Sequence, residues 1–136
     1  MRLEITRRAE LAIRAMVVMG AAEARMKSAA IAGELGTTSA FVPQIVGPLV
    51  KAGWVRSDPG PTGGYAGCTS LVEVTVLDVI EAVDGATDAG RCVVADRPCV
   101  EGSPCALHVA WTRARKELVD VLGGTRISDL ALGGPS

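Results

Sequence analysis

The sequence predicts a mainly α-helical protein with a small β-hairpin in its first half and a long helix late in the chain. Three observations predict this fold. Apolar residues recur at helical spacing after residue 10, a run rich in Gly and Pro at 58–64 separates two short apolar segments, and a second helical stripe follows residue 104. The 136 residues suffice for one compact unit and are too few for two large domains.

Three helices are predicted before residue 52. The first begins near Thr6 and ends before Met26. Its apolar stripe consists of Leu11, Ala15, Val18, Met19 and Ala22. Ser28 is expected to cap a short second helix that runs to Gly36, and a polar turn at 37–39 leads into the third helix. Helix, tight turn and helix in this order outline a helix-turn-helix.

A β-hairpin is predicted directly after the third helix. Trp54 and Val55 precede the turn-rich run, and Tyr65 and Ala66 follow it. A hairpin in this position is a wing, which lies along the sugar-phosphate backbone while the preceding helix enters the major groove. The candidate DNA contacts are therefore Ser39, Ala40, Phe41, Gln44, Arg56, Gly63, Gly64 and Tyr65. Among them Gln44 suits an adenine edge and Arg56 a phosphate.

Two prolines restrict the third helix. Pro43 is tolerable near its first turn, whereas Pro48, which follows Gly47, removes a backbone hydrogen bond. An interior proline costs about 3 kcal/mol unless the helix kinks. We therefore expect a recognition helix that is short or bent, which limits base readout.

Later elements are indicated by capping residues. Thr75 and Asp78 have the spacing of a capping box for a short helix that Gly85 ends. The stretch from 86 to 103 has no periodicity, and Ser103 and Pro104 then supply an N-cap and a first-turn proline for the long helix. The resulting division is a winged helix-turn-helix domain at 1–85, a loop at 86–104, and a dimerisation helix with a short closing helix at 105–136.

The long helix carries an apolar seam at nearly heptad spacing. The seam consists of Leu107, Trp111, Ala114, Leu118 and Val121. Such a seam most simply pairs with a second copy of the chain to form a homodimer. Packing of the seam on its own domain is the alternative.

Charge and composition narrow the function classes. The chain has 14 basic and 15 acidic residues, but up to Ala66 there are eight basic and five acidic residues. The basic front half is compatible with a polyanion partner and does not require one. The four aromatic residues, two Trp, one Tyr and one Phe, argue against a base-stacking sheet of the RNA-binding type.

The first 24 residues imitate a secretory signal. Glu10 and Arg14 interrupt the apolar stretch and leave only 15–22 uncharged, far below the length that spans a bilayer. We therefore expect no export, no membrane partner and a cytoplasmic location. In that reducing compartment, four cysteines in one small domain are expected to be metal ligands or reactive thiols rather than disulfides.

The most specific feature is the set Cys92, Cys99 and Cys105, with His108 three positions after the last cysteine. Cys105 is expected in the first turn of the long helix, where the helix dipole favours a thiolate and His108 shares its face. This donor set suits an iron–sulfur cluster or zinc. A thiol enzyme is disfavoured because the chain has no Cys-x-x-Cys pair and no phosphate loop. Cys68 is expected to be structural.

A wider pattern accompanies these cysteines. It comprises the segments MRL at 1–3, LAIRAM at 11–16, Gln44, GGY at 63–65, LDVIEAVDG at 77–85 and ISDL at 127–130. In these segments the chain resembles the bacterial winged-helix iron–sulfur regulators that include IscR, NsrR and RirA. The resemblance implies a homodimeric transcription factor whose cluster state sets its affinity for double-stranded promoter DNA.

The resemblance also implies a ligand set. Cys92, Cys99 and Cys105 match the family's cluster ligands. For the fourth ligand, His108 resembles the histidine of IscR, which completes a 2Fe-2S cluster. Glu10 stands where NsrR-like members use a first-helix carboxylate from the other subunit, which favours 4Fe-4S. Both alternatives stay open.

The chain also departs from the family. Members usually carry an arginine in the wing tip where this chain has Pro59, and an acidic or polar residue where it has Pro43. The operator therefore need not resemble the family's usual one. A structural zinc site on Cys92, Cys99, Cys105 and His108, in a winged-helix protein without a sensing role, is the alternative function.

Overall fold

The fold is mainly helical with one antiparallel hairpin, as predicted. The computed structural model describes residues 4–22, 24–87 and 106–133. Its elements are α1 (Arg7–Ala21), α2 (Ser28–Leu35), a 3₁₀ turn (Ser39–Phe41), α3 (Val42–Lys51), β1 (Val55–Asp58), β2 (Gly64–Gly67), α4 (Val76–Asp84), α5 (His108–Gly124) and α6 (Ile127–Gly133). Within the described ranges, no helix combines the length and the apolar character needed to cross a membrane.

Helix α1 forms the centre of the core and contacts α2, α3, α4 and α6. Its buried side is made of Ala9, Leu11, Ala12, Ala15, Met16 and Met19. The helix begins near Thr6 as predicted, and Thr6 caps it, because its hydroxyl accepts a hydrogen bond from the Ala9 amide at 3.0 Å. The same hydroxyl donates to the Asp84 carboxylate at 2.8 Å, which joins the start of α1 to the end of α4.

Helices α2 and α3 form the predicted helix-turn-helix. Gly36 ends α2 in the left-handed conformation, with φ of 71°. The prediction that Ser28 caps α2 is wrong. Lys27 occupies the cap position with extended backbone and its carbonyl accepts the Ile31 amide at 3.1 Å, so Ser28 is already the first helical residue.

Helix α3 is short, with ten residues, and continues through Pro48. The Ala52 amide donates to the Pro48 carbonyl at 3.0 Å, so helical bonding resumes after the proline. The amide missing from Pro48 would have bonded the carbonyl of Gln44. Gln44 and Gly47 are exposed, so water can solvate the carbonyl that lacks its helical partner. The buried side of α3 consists of Val42, Ile45, Val46 and Leu49.

The wing is the hairpin of β1 and β2, in which Arg56 pairs with Ala66 and Asp58 with Gly64. The connection between α1 and α2 makes one isolated β-bridge to this hairpin. Met26 bridges Tyr65, and each amide donates to the other residue's carbonyl at 2.8 Å. The wing is therefore bonded to the helix-turn-helix on its β2 edge.

Helix α4 begins with the predicted capping box. The Asp78 amide donates to the Thr75 hydroxyl at 3.0 Å, and the Thr75 amide donates to the Asp78 carboxylate at 2.9 Å. Gly85 ends the helix with φ of 90°. The closing helix α6 follows α5, and its first residue, Ile127, is fully buried in the core.

The predicted start of the long helix is wrong. Helix α5 begins at His108 with Leu107 at the cap position, and its first bond runs from the Trp111 amide to the Leu107 carbonyl at 2.9 Å. Ser103 and Pro104 precede this start and lie outside the described residues. A Ser-Pro pair is typical of turns as well as of helix starts, so it does not fix the first residue of the helix.

Candidate nucleic-acid interface and metal centre

The start of the recognition segment is accessible. Ser39 and Ala40 are exposed on the 3₁₀ turn, and Gln44 is exposed one turn into α3. Phe41 is half-buried and packs against the core. Three of the four candidate base contacts therefore lie on the surface, while Phe41 supports the turn from beneath.

Arg56 lies on β1 with 64% of its side chain exposed. Its Nε lies 3.2 Å from Oδ2 of Asp58, and the same oxygen lies 3.0 Å from Nη1 of Arg25. The position of Arg56 after the third helix predicts a phosphate contact, whereas no sequence pattern marks Arg25, which precedes α2. Arg25 and Asp58 are separated by 33 positions, so only the folded wing brings them together.

The two candidate glycines at the wing tip are required by close packing within the protein. A Cβ on Gly63 would lie 1.9 Å from the Asp58 carbonyl oxygen, and one on Gly64 would lie 2.7 Å from the Met26 carbonyl oxygen. Gly63 is buried, and Gly64 has φ of 145°. Lys27 adds a further link, because its ammonium donates to the Pro61 carbonyl. Tyr65 is half-buried and packs against the core.

The candidate metal ligands are only partly described. Cys92, Cys99 and Cys105 lie outside the described residues. Within the described ranges, no group of three or more His, Cys, Asp or Glu side chains is placed to hold a metal. His108 is half-buried at the first residue of α5. Cys68 lies after β2, where its thiol donates to the Gly53 carbonyl at 3.2 Å.

Glu10, the other candidate for the fourth ligand, is occupied by two ion pairs. Its Oε2 lies 2.8 Å from Nη1 of Arg7, and its Oε1 lies 3.4 Å from Nη1 of Arg14. The carboxylate is partly exposed, so these pairs are weak and leave it accessible. A metal bound by Glu10 would share the carboxylate with these two arginines.

Helix α5 presents an apolar face that the other described elements leave exposed. None of its described residues is buried. Trp111, Ala114, Leu118 and Val121 of the predicted seam line one groove together with Thr87. Leu118 is 47% exposed and Val121 55% exposed. On another face of α5, Lys116 donates to Asp120 at 2.7 Å, and this hydrogen bond raises the pKa of Lys116.

The sequence is similar to those of known transcriptional regulators. The family model for Rrf2, described as an iron-dependent transcriptional regulator, matches residues 5–132. IscR of Aliivibrio salmonicida, a helix-turn-helix transcriptional regulator, is 31% identical over 130 residues, which cover 94% of this chain and 77% of that protein. These relatives are named as regulators and not as enzymes.

Two solved structures have the same winged-helix fold. CymR, the global cysteine regulator of B. subtilis, is similar with a TM-score of 0.78 and 24% identity over 98% of this chain and 100% of that chain. IscR of T. potens is similar with a TM-score of 0.73 and 21% identity over 93% of this chain and 85% of that chain. At these identities the likeness establishes the fold.

Proposed function

Because the chain belongs to the Rrf2 family of iron-dependent transcriptional regulators, we propose that it binds promoter DNA as a homodimer and that an iron–sulfur cluster sets its affinity. The family match makes the protein a helix-turn-helix transcriptional regulator and bears out the resemblance described above. The homodimer, the cluster and the cytoplasmic location are the proposed parts. We also propose that the chain is divided into a DNA-binding domain at 1–85, a cluster-binding loop at 86–104 and a dimerisation region at 105–136.

The single observation that best supports DNA binding is that α3 has one buried side and one exposed side. Its inner side is fully buried, while Ser39, Ala40 and Gln44 remain on the surface at its start. In winged-helix proteins these positions approach base edges in the major groove. Gln44 has the donor and acceptor pair that matches an adenine edge. The hairpin that follows α3 is placed to reach the flanking backbone.

The exposed seam of α5 supports a homodimer. Isolated exposed apolar residues are ordinary on protein surfaces, but here Leu118 and Val121 lie in one groove with Trp111 and Ala114. A second copy of the same helix carries the complementary spacing, because an interface with two-fold symmetry uses the same residues from both chains. A dimer also presents two recognition helices to two half-sites.

The chemistry of the candidate donor set fits an iron–sulfur cluster. Thiolates are the usual cluster ligands, and histidine replaces thiolate in some centres, so Cys92, Cys99, Cys105 and His108 would suffice. When bound, a cluster would supply iron whose redox state and nitrosylation respond to conditions in the cell. His108 is the first residue of α5, so a cluster bound there would be attached directly to the proposed dimer helix.

His108 is the proposed fourth ligand, and a 2Fe-2S cluster is the proposed cofactor. Among the described residues, His108 makes no ion pair, whereas Glu10 is paired with Arg7 and Arg14. A metal at Glu10 would compete with both arginines for the carboxylate oxygens. Glu10 with a 4Fe-4S cluster is the alternative that iron counting separates.

The test is the visible absorption spectrum of protein purified without oxygen, with iron and sulfide counted per chain. We expect a coloured protein with about two iron and two sulfide per chain, whereas about four of each would replace His108 by Glu10. Cys92→Ala, Cys99→Ala and Cys105→Ala should each lose the colour. Cys68→Ala is the matched control, since this thiol bonds the Gly53 carbonyl in the wing, and it should keep the colour. A colourless protein with one zinc would overturn the sensing proposal and leave the structural zinc site.

A further inference from the structure

A charged cluster lies along the strands of the wing and is formed by Arg25, Arg56 and Asp58, the last residue of β1 before the turn. We propose that the two arginines, held in place by Asp58, bind the phosphodiester backbone of duplex DNA next to the site read by α3. This inference rests on the proposed DNA-binding function and adds Arg25 as a contact and Asp58 as a positioning residue.

The geometry of the cluster follows from the register of the wing. Arg56 pairs with Ala66 and Asp58 with Gly64, and residues two apart in a strand lie on the same face. Ala66 and Gly64 have almost no side chain, so this face of β2 leaves room for longer side chains to cross it. Arg25 thus reaches Asp58 at 3.0 Å, although it lies on the opposite side of β2.

The cluster is attached to the fold at both ends. The residue after Arg25 is Met26, which makes two backbone hydrogen bonds of 2.8 Å to Tyr65. Arg56 and Asp58 belong to β1, which begins four residues after the end of α3. The backbone segments that carry the two arginines are therefore held at a fixed position relative to the recognition helix, and the Asp58 carboxylate brings the two guanidinium groups to one place on the wing.

The charges favour a polyanion. From residue 24 to 67 the basic residues are Arg25, Lys27, Lys51 and Arg56, and the acidic ones are Glu34 and Asp58. Asp58 accepts from both arginines through one oxygen, which leaves a net positive cluster with 44% and 64% of the two arginine side chains exposed. Each guanidinium has five N–H donors and uses one group for Asp58, so donors remain for a phosphate.

The composition of the wing tip points to the same cluster. Residues 59–63 are Pro, Gly, Pro, Thr and Gly, none of which carries a charge. The only cation between residues 55 and 67 is Arg56, so a wing that contacts the DNA backbone through its own cation must use the strand face on which Arg56 and Arg25 meet at Asp58. Lys27, the other nearby cation, is bonded to the Pro61 carbonyl and stabilises the tip.

Asp58→Asn gives a test for which two explanations of the role of Asp58 predict opposite changes in DNA affinity. If Asp58 acted only through its charge, its neutralisation would strengthen binding to a polyanion. The positioning role predicts several-fold weaker binding, because the amide oxygen of asparagine bonds the two guanidinium groups less strongly than the carboxylate does and they are no longer held together. Binding is measured by fluorescence anisotropy with a short labelled duplex of mixed sequence over a salt series. Arg25→Gln and Arg56→Gln should each weaken binding and reduce the salt slope by about 1.

The control for a lost negative charge is Glu73→Gln, in the exposed segment between the wing and α4, which should bind as well as the wild type or slightly better. Thermal unfolding followed by circular dichroism checks that every variant is folded. The double variant Arg25→Gln with Asp58→Asn keeps the charge of Arg56, whereas Arg25→Gln with Arg56→Gln loses both arginines. The first double variant should therefore bind DNA no more weakly than the second. Equal or tighter binding by Asp58→Asn, or an unchanged salt slope in Arg25→Gln, would overturn the inference. Failure of the wild type to bind any duplex at low salt would instead overturn the proposed function.

Discussion

At the scale of single residues, the wing depends on the absence of side chains at its turn. Gly64 combines φ of 145° with a position at which a Cβ would lie 2.7 Å from the Met26 carbonyl oxygen. Gly64→Ala should therefore lower the free energy of unfolding by about 1–3 kcal/mol, measured by urea titration. Gly60 also has a positive φ, of 96°, but a Cβ there would meet open space. Gly60→Ala therefore measures the cost of the backbone conformation alone and should lower the free energy of unfolding by less than Gly64→Ala. Equal losses at both positions would contradict the steric explanation.

Gly33 gives the opposite prediction. It lies in the exposed interior of α2, and a Cβ there would meet nothing within 4 Å. Gly33→Ala should raise the free energy of unfolding by about 0.5–1 kcal/mol, because alanine loses less backbone entropy in a helix. The same urea titration measures this gain, and a loss of stability would show that α2 needs glycine for a reason absent from its described contacts.

At the scale of elements, the capping box of α4 makes a separable contribution. Thr75→Ala removes the hydroxyl that accepts the Asp78 amide and should cost about 1 kcal/mol of stability. Thr62→Ala, at an exposed position of the wing turn, is the matched control and should be near neutral. A neutral result for Thr75→Ala would mean that water satisfies the helix end as well as the side chain does.

Helix α5 provides the test of the homodimer. Val121→Lys places a charge in the apolar groove with Trp111 and Leu118 and should convert a dimer into monomers. Val109→Lys makes the same change at a residue of α5 that is 69% exposed and outside the seam, and it should leave the dimer intact. Light scattering coupled to size exclusion gives the mass of each. A dimer in both variants, or a monomeric wild type, would contradict the seam as the interface.

Elements with local determinants could be predicted from the sequence. The start of α1 near Thr6, the capping box of α4 and the glycine after each of α2 and α4 depend on residues within a few positions of each other. The start of α5 could not be fixed, because Ser103 and Pro104 fit a turn equally well. The pairing of Arg25 with Asp58 depends on the bridge between Met26 and Tyr65, which no local pattern encodes.

At the scale of the whole molecule, α4 connects the helix that carries His108 to the recognition helix. It contacts α5, whose first residue is His108, and it also contacts α1 and α3. The Val76 amide at the start of α4 donates to the Thr125 carbonyl after α5 at 2.8 Å, which fixes the two helices to each other. A change in the position of α5 can therefore reach the recognition helix through one intervening helix. In a dimer such a change alters the spacing of the two recognition helices.

The central claim, that a cysteine-bound cluster sets DNA affinity, is tested most directly by one comparison of dissociation constants. The wild-type protein is measured with its cluster and after removal of the cluster by a chelator, without oxygen, on a duplex that the protein itself selects from a random pool. The account predicts dissociation constants that differ by about 5-fold or more between the two forms. Cys92→Ala should match the cluster-free form under both treatments. Equal affinity of the two wild-type forms would contradict the claim and leave a DNA-binding regulator that does not sense through these cysteines.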